Sequence, residues 1–151
     1  MSLKALLDFL RPKDAITLAS LAARTISANG TATPVPGQYR RWVVQLVNTV
    51  ADTDAGDTLD VYVDVSIDGG TTWLNAVHFN QIVGTDAASK ACAVLDPSNP
   101  GTSTVDVTSD AAEETVRPAL IGPLMRARWA ITDAGTDDAS FTFSVTAWGQ
   151  P

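Results

Sequence analysis

Residues 58–73 read Thr-Leu-Asp-Val-Tyr-Val-Asp-Val-Ser-Ile-Asp-Gly-Gly-Thr-Thr-Trp, and the alternation in this run leaves little choice of structure. In an extended chain Leu59, Val61, Val63, Val65 and Ile67 fall on one side, while Asp60, Tyr62, Asp64 and Ser66 fall on the other. The run therefore predicts a strand with one face on a core and the other on water or a partner. Gly69-Gly70 then turns the chain.

Period two recurs elsewhere. From Asp14, Ile16 and Leu18 alternate with Thr17 and Ala19, and residues 24–28 read as extended before the turn cluster Pro34-Val35-Pro36-Gly37. Arg41–Val50 is apolar on both faces, with Trp42, Val44 and Leu46 on one and Val43 and Val47 on the other, as expected of a central strand shielded on both sides. Residues 73–83 and 90–95 predict two more strands, and Asp96-Pro97-Ser98-Asn99-Pro100-Gly101 predicts a loop. Residues 104–108 read as a short edge strand, and Asp110-Ala111-Ala112-Glu113 has the capping-box form of one helical turn, limited by Pro118. Leu124–Thr132 and residues 141–148 are expected to pair as a hairpin. Thr53-Asp54-Ala55-Gly56 recurs as Thr132-Asp133-Ala134-Gly135, which implies two similar hairpins built on good turn chemistry.

Residues 2–10 break the pattern. Leu3, Leu6, Leu7 and Leu10 stand at i, i+3, i+4 and i+7, Ser2 is placed to cap and Pro12 to stop, so a short amphipathic helix is expected. Nine residues are too few for a helix to be stable alone, so the leucine face has to dock on its own domain or on a neighbour. The expectation is an all-β fold: a single β-sandwich of jelly-roll type with about eight strands over residues 14–151, preceded by a helical arm over residues 1–13.

Composition removes several classes of function. The net charge is −7, which disfavours nucleic acid because phosphate binding needs clustered positive charge. The charge is uneven: residues 1–40 hold five basic side chains against Asp8 and Asp14, so the acidic excess lies in the rest and the basic start is suited to an acidic surface. Cys92 is the single cysteine, which leaves no internal disulfide and no cysteine-based zinc cluster. No apolar run reaches the roughly 18–20 residues of a membrane span, and Asp8 interrupts the N-terminal apolar stretch, so a soluble protein without a secretory leader is expected.

The run Ser66-Ile67-Asp68-Gly69-Gly70-Thr71-Thr72-Trp73 fits S-x-D-x-G-x-T-W and resembles the Asp-box of sialidase and other propeller blades. Propellers repeat that box blade after blade, at periods of about 40–50 residues. This chain has one copy, so Asp68, Gly69, Gly70 and Trp73 are assigned to a structural turn rather than to catalysis. His78 is the single histidine and is expected as a partly buried strand residue; no metal, cofactor or catalytic group is expected. The acidic loop Asp52-Thr53-Asp54-Ala55-Gly56-Asp57 is out of register for an EF-hand and reads, like Asp133, Asp137 and Asp138, as a solvated turn with at most opportunistic calcium. Arg126 and Arg128 project from the face opposite Met125, Ala127, Trp129 and Ile131, and Asp60 and Asp64 from the solvent face of their own strand; such two-residue rows can pair either within one sheet or across a subunit boundary. With Leu3, Leu6, Leu7 and Leu10 they are the candidate partner-binding residues.

Residues 59–79, LDVYVDVSIDGGTTWLNAVHF, together with residues 121–149, IGPLMRARWAITDAGTDDASFTFSVTAWG, resemble small structural proteins of tailed bacteriophages. The resemblance covers about half the chain and rests on strand and turn patterns. Among these proteins the head decoration, or cement, proteins are the most similar. They imply a compact, trimeric module made in the host cytoplasm and set on the outer capsid surface of the virion, where it binds the major capsid protein through a terminal arm. The alternative is a carbohydrate- or receptor-binding β-sandwich, which needs an exposed aromatic platform from Trp42, Trp73, Trp129 or Trp148; of these, Trp148 is expected to be the exposed one.

Overall fold

A computed structural model describes residues 14–100, 106–107 and 109–151. The helix expected over residues 2–10, including Leu3, Leu6, Leu7 and Leu10, lies outside the described residues, as does most of the edge strand expected over residues 104–108.

The described chain is all-β. In order, the strands are β1 (Ala15–Arg24), β2 (Ala28–Asn29), β3 (Thr33–Pro34), β4 (Arg41–Val50), β5 (Thr58–Ser66), β6 (Leu74–His78), β7 (Ile82–Val83), β8 (Ser89–Leu95), β9 (Thr115–Val116), β10 (Leu124–Thr132) and β11 (Phe141–Gln150). They form two open antiparallel sheets. The smaller runs β1-β11-β4-β8; the larger runs β2-β10-β5-β6-β9, with β3 also on β10 and β7 on β5.

Period two explains which side of each strand is inward. Trp42, Val44 and Leu46 of β4 and Phe141, Phe143, Val145 and Ala147 of β11 enter one core from the smaller sheet. Leu59, Val61, Val63 and Val65 of β5, with Met125 and Ala127 of β10, enter the same core from the larger sheet. Trp42, Phe141 and Phe143 are its largest fully buried side chains, and truncating such an aromatic to alanine costs about 3–5 kcal/mol.

Several expectations are corrected. β10 and β11 are not a hairpin: β10 pairs with β5, and β11 pairs with β4 and β1, so residues 133–140 cross from one sheet to the other. The first Thr-Asp-Ala-Gly makes the same kind of crossing, from β4 to β5, so the repeated tetrapeptide marks two arches rather than two hairpins. The strand expected over residues 73–83 is interrupted between β6 and β7. Asp110-Ala111-Ala112-Glu113 forms no helical turn. Ile67 is 65% exposed rather than in the core, because β5 ends at Ser66 and the turn takes over. β4 is shielded completely on one face only; Val43 and Val47 are half-buried on the other.

The two arches lie side by side and are joined by carboxylates. Asp57 Oδ1 accepts the N–H of Ala134 at 2.9 Å and of Gly135 at 3.0 Å. Asp52 Oδ2 accepts the Ser140 N–H at 2.7 Å, and Asp54 Oδ2 accepts that of Thr136 at 3.3 Å. The turn after β7 joins them, since Gly84 N–H donates to the Asp57 carbonyl at 2.8 Å and Thr85 N–H to the Asp52 carbonyl at 2.6 Å. A Cβ on Gly84 would collide with the Asp54 carbonyl, so this turn needs glycine. The acidic loop is thus not a solvated turn: Asp57 is fully buried and Asp52 nearly so, while Asp133, Asp137 and Asp138 are exposed. The amides of Asp54 and Ser140 hold the Asp52 carboxyl below its ordinary range.

Replacing Asp57 by alanine leaves two arch amides without their acceptor. Asp57→Ala is expected to lose about 2–4 kcal/mol by urea denaturation, and Asp57→Asn, which keeps one acceptor oxygen, less than half of that.

Candidate functional site

The register of β5 on β10 sets Arg126 opposite Asp64 and Arg128 opposite Tyr62, which brings the two-residue rows together on the outer face of the larger sheet. Asp64 is the centre, at 3% exposure. Its Oδ2 accepts Arg126 Nε at 3.3 Å and Nη2 at 3.2 Å, and Arg128 Nε at 3.1 Å; its Oδ1 accepts Asn75 Nδ2 at 3.3 Å. Arg128 also donates to both oxygens of Asp110. Burial pulls the Arg128 guanidinium down, but its hydrogen bonds to Asp110 and Asp64 outweigh that, so its pKa is raised.

Each guanidinium lies on an aromatic ring, Arg126 4.2 Å from the Trp73 centroid and Arg128 4.0 Å from that of Tyr62. Tyr62 lies against His78, with ring centroids 4.3 Å apart. His78 Nε2 is 3.1 Å from Asp60 Oδ1, and Nδ1 is 2.9 Å from the Ala111 carbonyl. An Asp–His pair is the orienting half of a nucleophilic triad. Here both ring nitrogens face acceptor oxygens, so neither is turned toward a hydroxyl.

The face is not open to water as the alternation implies. The segment leading into β9 crosses it: Asn75 N–H donates to the Val107 carbonyl at 3.0 Å, Ala111 N–H to Asn75 Oδ1 at 2.9 Å, and Arg117 Nη1 to the Ser109 carbonyl at 3.1 Å. Tyr62 and Asp64, expected to face solvent or a partner, are buried on this face, and Ser66 is buried in the turn that follows β5. Arg126 and Arg128 keep part-exposed side chains and take the in-sheet pairing. Sequence reasoning missed Asn75, which belongs to no motif, and read Asp110 as a helix cap rather than as a partner of Arg128; the one available signal was the presence of a basic row and an acidic row.

At the edge of this face is the Asp-box turn. Ser66 Oγ–H donates to Asp68 Oδ1 at 2.9 Å and accepts the Gly70 N–H at 2.9 Å. Asp68 Oδ1 also accepts the Thr72 N–H at 2.8 Å. Gly69 and Gly70 have φ of 74° and 93°, a region that penalises any Cβ, and a Cβ on Gly70 would meet Trp73. Hydrogen bonding from the Thr72 backbone, then from the Thr72 and Ser66 side chains, lowers the Asp68 pKa to about 2. Asp68 accepts hydrogen bonds from its own turn, and Trp73 serves as the platform under Arg126.

The remaining tryptophans are in different settings. Trp42 is fully buried. Trp129, expected to be buried, is half-buried; its Nε1–H donates to the Ile26 carbonyl at 3.0 Å and Arg24 lies 4.6 Å from its ring. Trp148 is half-buried on the outer side of the smaller sheet. A cleft of about 340 Å³ bordered by Leu46, Gln81, Ile82, Asp86 and Lys90 has no aromatic wall. Among the described residues, no three His, Cys, Asp or Glu side chains converge into a metal-binding group, and no helix is long and apolar enough to cross a membrane.

No protein-family model, curated protein or solved structure matches the chain.

Two outcomes are expected of this face. Asp64→Ala strands the part-buried Arg126 guanidinium and leaves Arg128 with Asp110 alone, and is expected to cost about 3 kcal/mol in denaturant melts. Asp68→Ala is expected to lower the melting midpoint at neutral pH by about 2–4 °C, the shift of one lost cap-type bond in a chain of this size. Because the folded-state pKa of Asp68 is depressed, its contribution is fully present above the ordinary value of 3.8 and is lost as pH falls toward about 2. The gap between wild type and Asp68→Ala should therefore close between about pH 4 and pH 2 in paired thermal melts.

Proposed function

We propose that this chain is a structural protein of a bacteriophage virion, a β-sandwich of jelly-roll type that decorates the outside of the assembled head and stabilises it. The observation that carries this reading is the strand order. Joining β2 and β3 as one interrupted strand and setting aside the two-residue β7 and β9 leaves eight main strands, ordered 1-8-3-6 in one sheet and 2-7-4-5 in the other. That order supports the jelly-roll reading, an architecture shared by viral capsid and lectin domains. The step from fold to role is an analogy, and the surface has to choose between the two.

The sugar-binding alternative needs an aromatic platform facing solvent. Trp42 is in the core, Trp73 lies under Arg126, Trp129 is hydrogen-bonded beneath Arg24, and Trp148 alone lies on an open sheet face. The decoration reading needs only surfaces. Leu21, Ile26 and Val50 are exposed apolar side chains that suit self-association, for which a homotrimer is proposed. Leu3, Leu6, Leu7 and Leu10, with Lys4, Arg11 and Lys13, are the proposed arm on the major capsid protein, and Arg126 and Arg128 add the exposed edges of their guanidiniums.

Modest contacts repeated at every lattice point become a strong restraint. Anything that binds the intact shell and not its dispersed subunits raises the stability of the shell by mass action. Purified protein is expected to co-sediment with undecorated heads of its phage, to raise their disruption temperature, and to lose much of both effects when residues 1–12 are deleted. Presence in purified tails with absence from heads would overturn the decoration reading.

A further inference from the structure

We propose that His78 is a proton-operated latch on the segment that crosses the outer face of the larger sheet: with both ring nitrogens protonated it holds this segment closed at Ala111, and on losing one proton it lets the segment open. His78 ends β6, opposite Tyr62 of β5 and Thr115 of β9, and is 9% exposed. Its Nδ1 faces the Ala111 carbonyl and its Nε2 faces Asp60 Oδ1. A neutral imidazole carries one N–H and one lone pair, an imidazolium two N–H groups. Neither facing oxygen has a proton to give: a carbonyl only accepts, and the Asp60 carboxylate accepts on both sides, its Oδ2 taking the Gln81 Nε2–H at 2.9 Å. The imidazolium alone satisfies both contacts.

When one proton leaves, the two contacts compete for the other. Hydrogen bonds to ionised acceptors are about twice as strong as those to neutral ones, so the remaining proton stays on Nε2 against Asp60 and the Nδ1 lone pair is turned on the Ala111 carbonyl. Ala111 is 7% exposed, and among the described residues its carbonyl has no other donor. That oxygen regains a partner when the segment lifts and water reaches it. The other ties of the segment run from Ala111 N–H to Asn75, from Asn75 N–H to Val107, from Arg117 to Ser109 and from Arg128 to Asp110, and none of these donors loses its proton near neutrality. The surrounding charges are largely committed elsewhere. Arg128 is held by Asp64 and Asp110, Glu113 accepts the Gln81 N–H, and Arg117 donates to the Asn75 and Ser109 carbonyls. Tyr62 lies against the ring face, Asp106 is at the far end of the segment, and Glu114 and Cys92 share a cleft of about 140 Å³ with His78 without a hydrogen bond to its ring. The inference rests on this face alone and does not depend on the capsid reading.

His78 is the single histidine, so the imidazole signals in an NMR spectrum of the full-length protein belong to it. Its protonation and the hydrogen-exchange protection of the Ala111 amide would be followed together from about pH 5 to about pH 9, with the Val44 amide of the central strand β4 as reference. The Ala111 protection factor, in which the ordinary rise of exchange with pH is already divided out, is expected to fall at least about tenfold as the ring loses its second proton, the effect of one lost hydrogen bond to a charged group, while Val44 is unchanged. Asp60→Asn separates the latch from a merely structural contact. A side-chain amide at that position donates to Nε2 and still accepts from Gln81, so the neutral ring keeps its proton on Nδ1 for Ala111, and the fall is expected to shrink below about twofold. A ring that titrates with no change at Ala111, or that keeps one protonation state over the whole range, would overturn the proposal on the wild-type protein alone. An equal fall in folded Asp60→Asn would overturn it too.

Discussion

Asp57 is fully buried and accepts the N–H groups of Ala134 and Gly135, so the chain passing from β4 to β5 holds the chain passing from β10 to β11. Burying a carboxylate is costly unless hydrogen bonds replace its water, and here backbone amides that a tight arch would otherwise strand provide two at Oδ1, while the buried Oδ2 accepts none. Because the two crossings are tied at one point, β11 is set beside β4 and β10 beside β5, and these are the central pairs of the two sheets. The remaining strands add to those pairs at either edge. The register that opposes Arg126 to Asp64 follows from the same tie, because Thr132 and Thr58, at the ends of the strands nearest the arches, are already partners.

The fold was legible where information is local. Alternation located β4, β5, β10 and β11 nearly residue by residue, because which side of a strand is apolar is decided within the strand. The Asp-box turn was legible for the same reason: Ser66, Asp68, Gly70 and Thr72 bond within four residues of one another. What alternation cannot carry is the identity of the partner strand. An eight-residue connection between two alternating runs reads as a hairpin, yet residues 133–140 bridge two sheets. Asp-Ala-Gly serves an arch as well as a turn, and the difference lies in Asp52 and Asp57, some 77–88 positions away in sequence from the amides they hold.

The outer face of β5 shows the same limit in the candidate site. Period two put Tyr62, Asp64 and Ser66 opposite the core, which is where they are, but position opposite the core is not exposure. The covering residues come from the segment leading into β9, and Ala111 reaches Asn75 across 36 positions of sequence. Ile67 fails in the other direction: the alternation continues one residue past the point where Ser66 begins to organise the turn, so an apolar residue in phase with the core is left in water. The row of arginines was visible as a row. Its commitment to Asp64 and Asp110 required knowing which strand lies next to it.

The two outer faces therefore differ in what a partner can do with them. On the larger sheet every strong group already has a counterpart: Arg126 and Arg128 share Asp64, Arg128 also holds Asp110, and each guanidinium rests on an aromatic ring. A partner that drew Arg128 away would leave Asp64 buried beside a single arginine and would lose one of the ties of the covering segment, so contact there is restricted to the exposed edges of the guanidiniums. On the smaller sheet no such network has to be dismantled. Its outward residues Val43, Gln45, Val47, Thr146 and Trp148 are uncharged and half-buried, with Arg41 and Lys90 in the flanking rows, and covering the uncharged ones releases water. An association that leaves the fold intact is thus favoured on the smaller sheet, where no ion-pair network has to be opened.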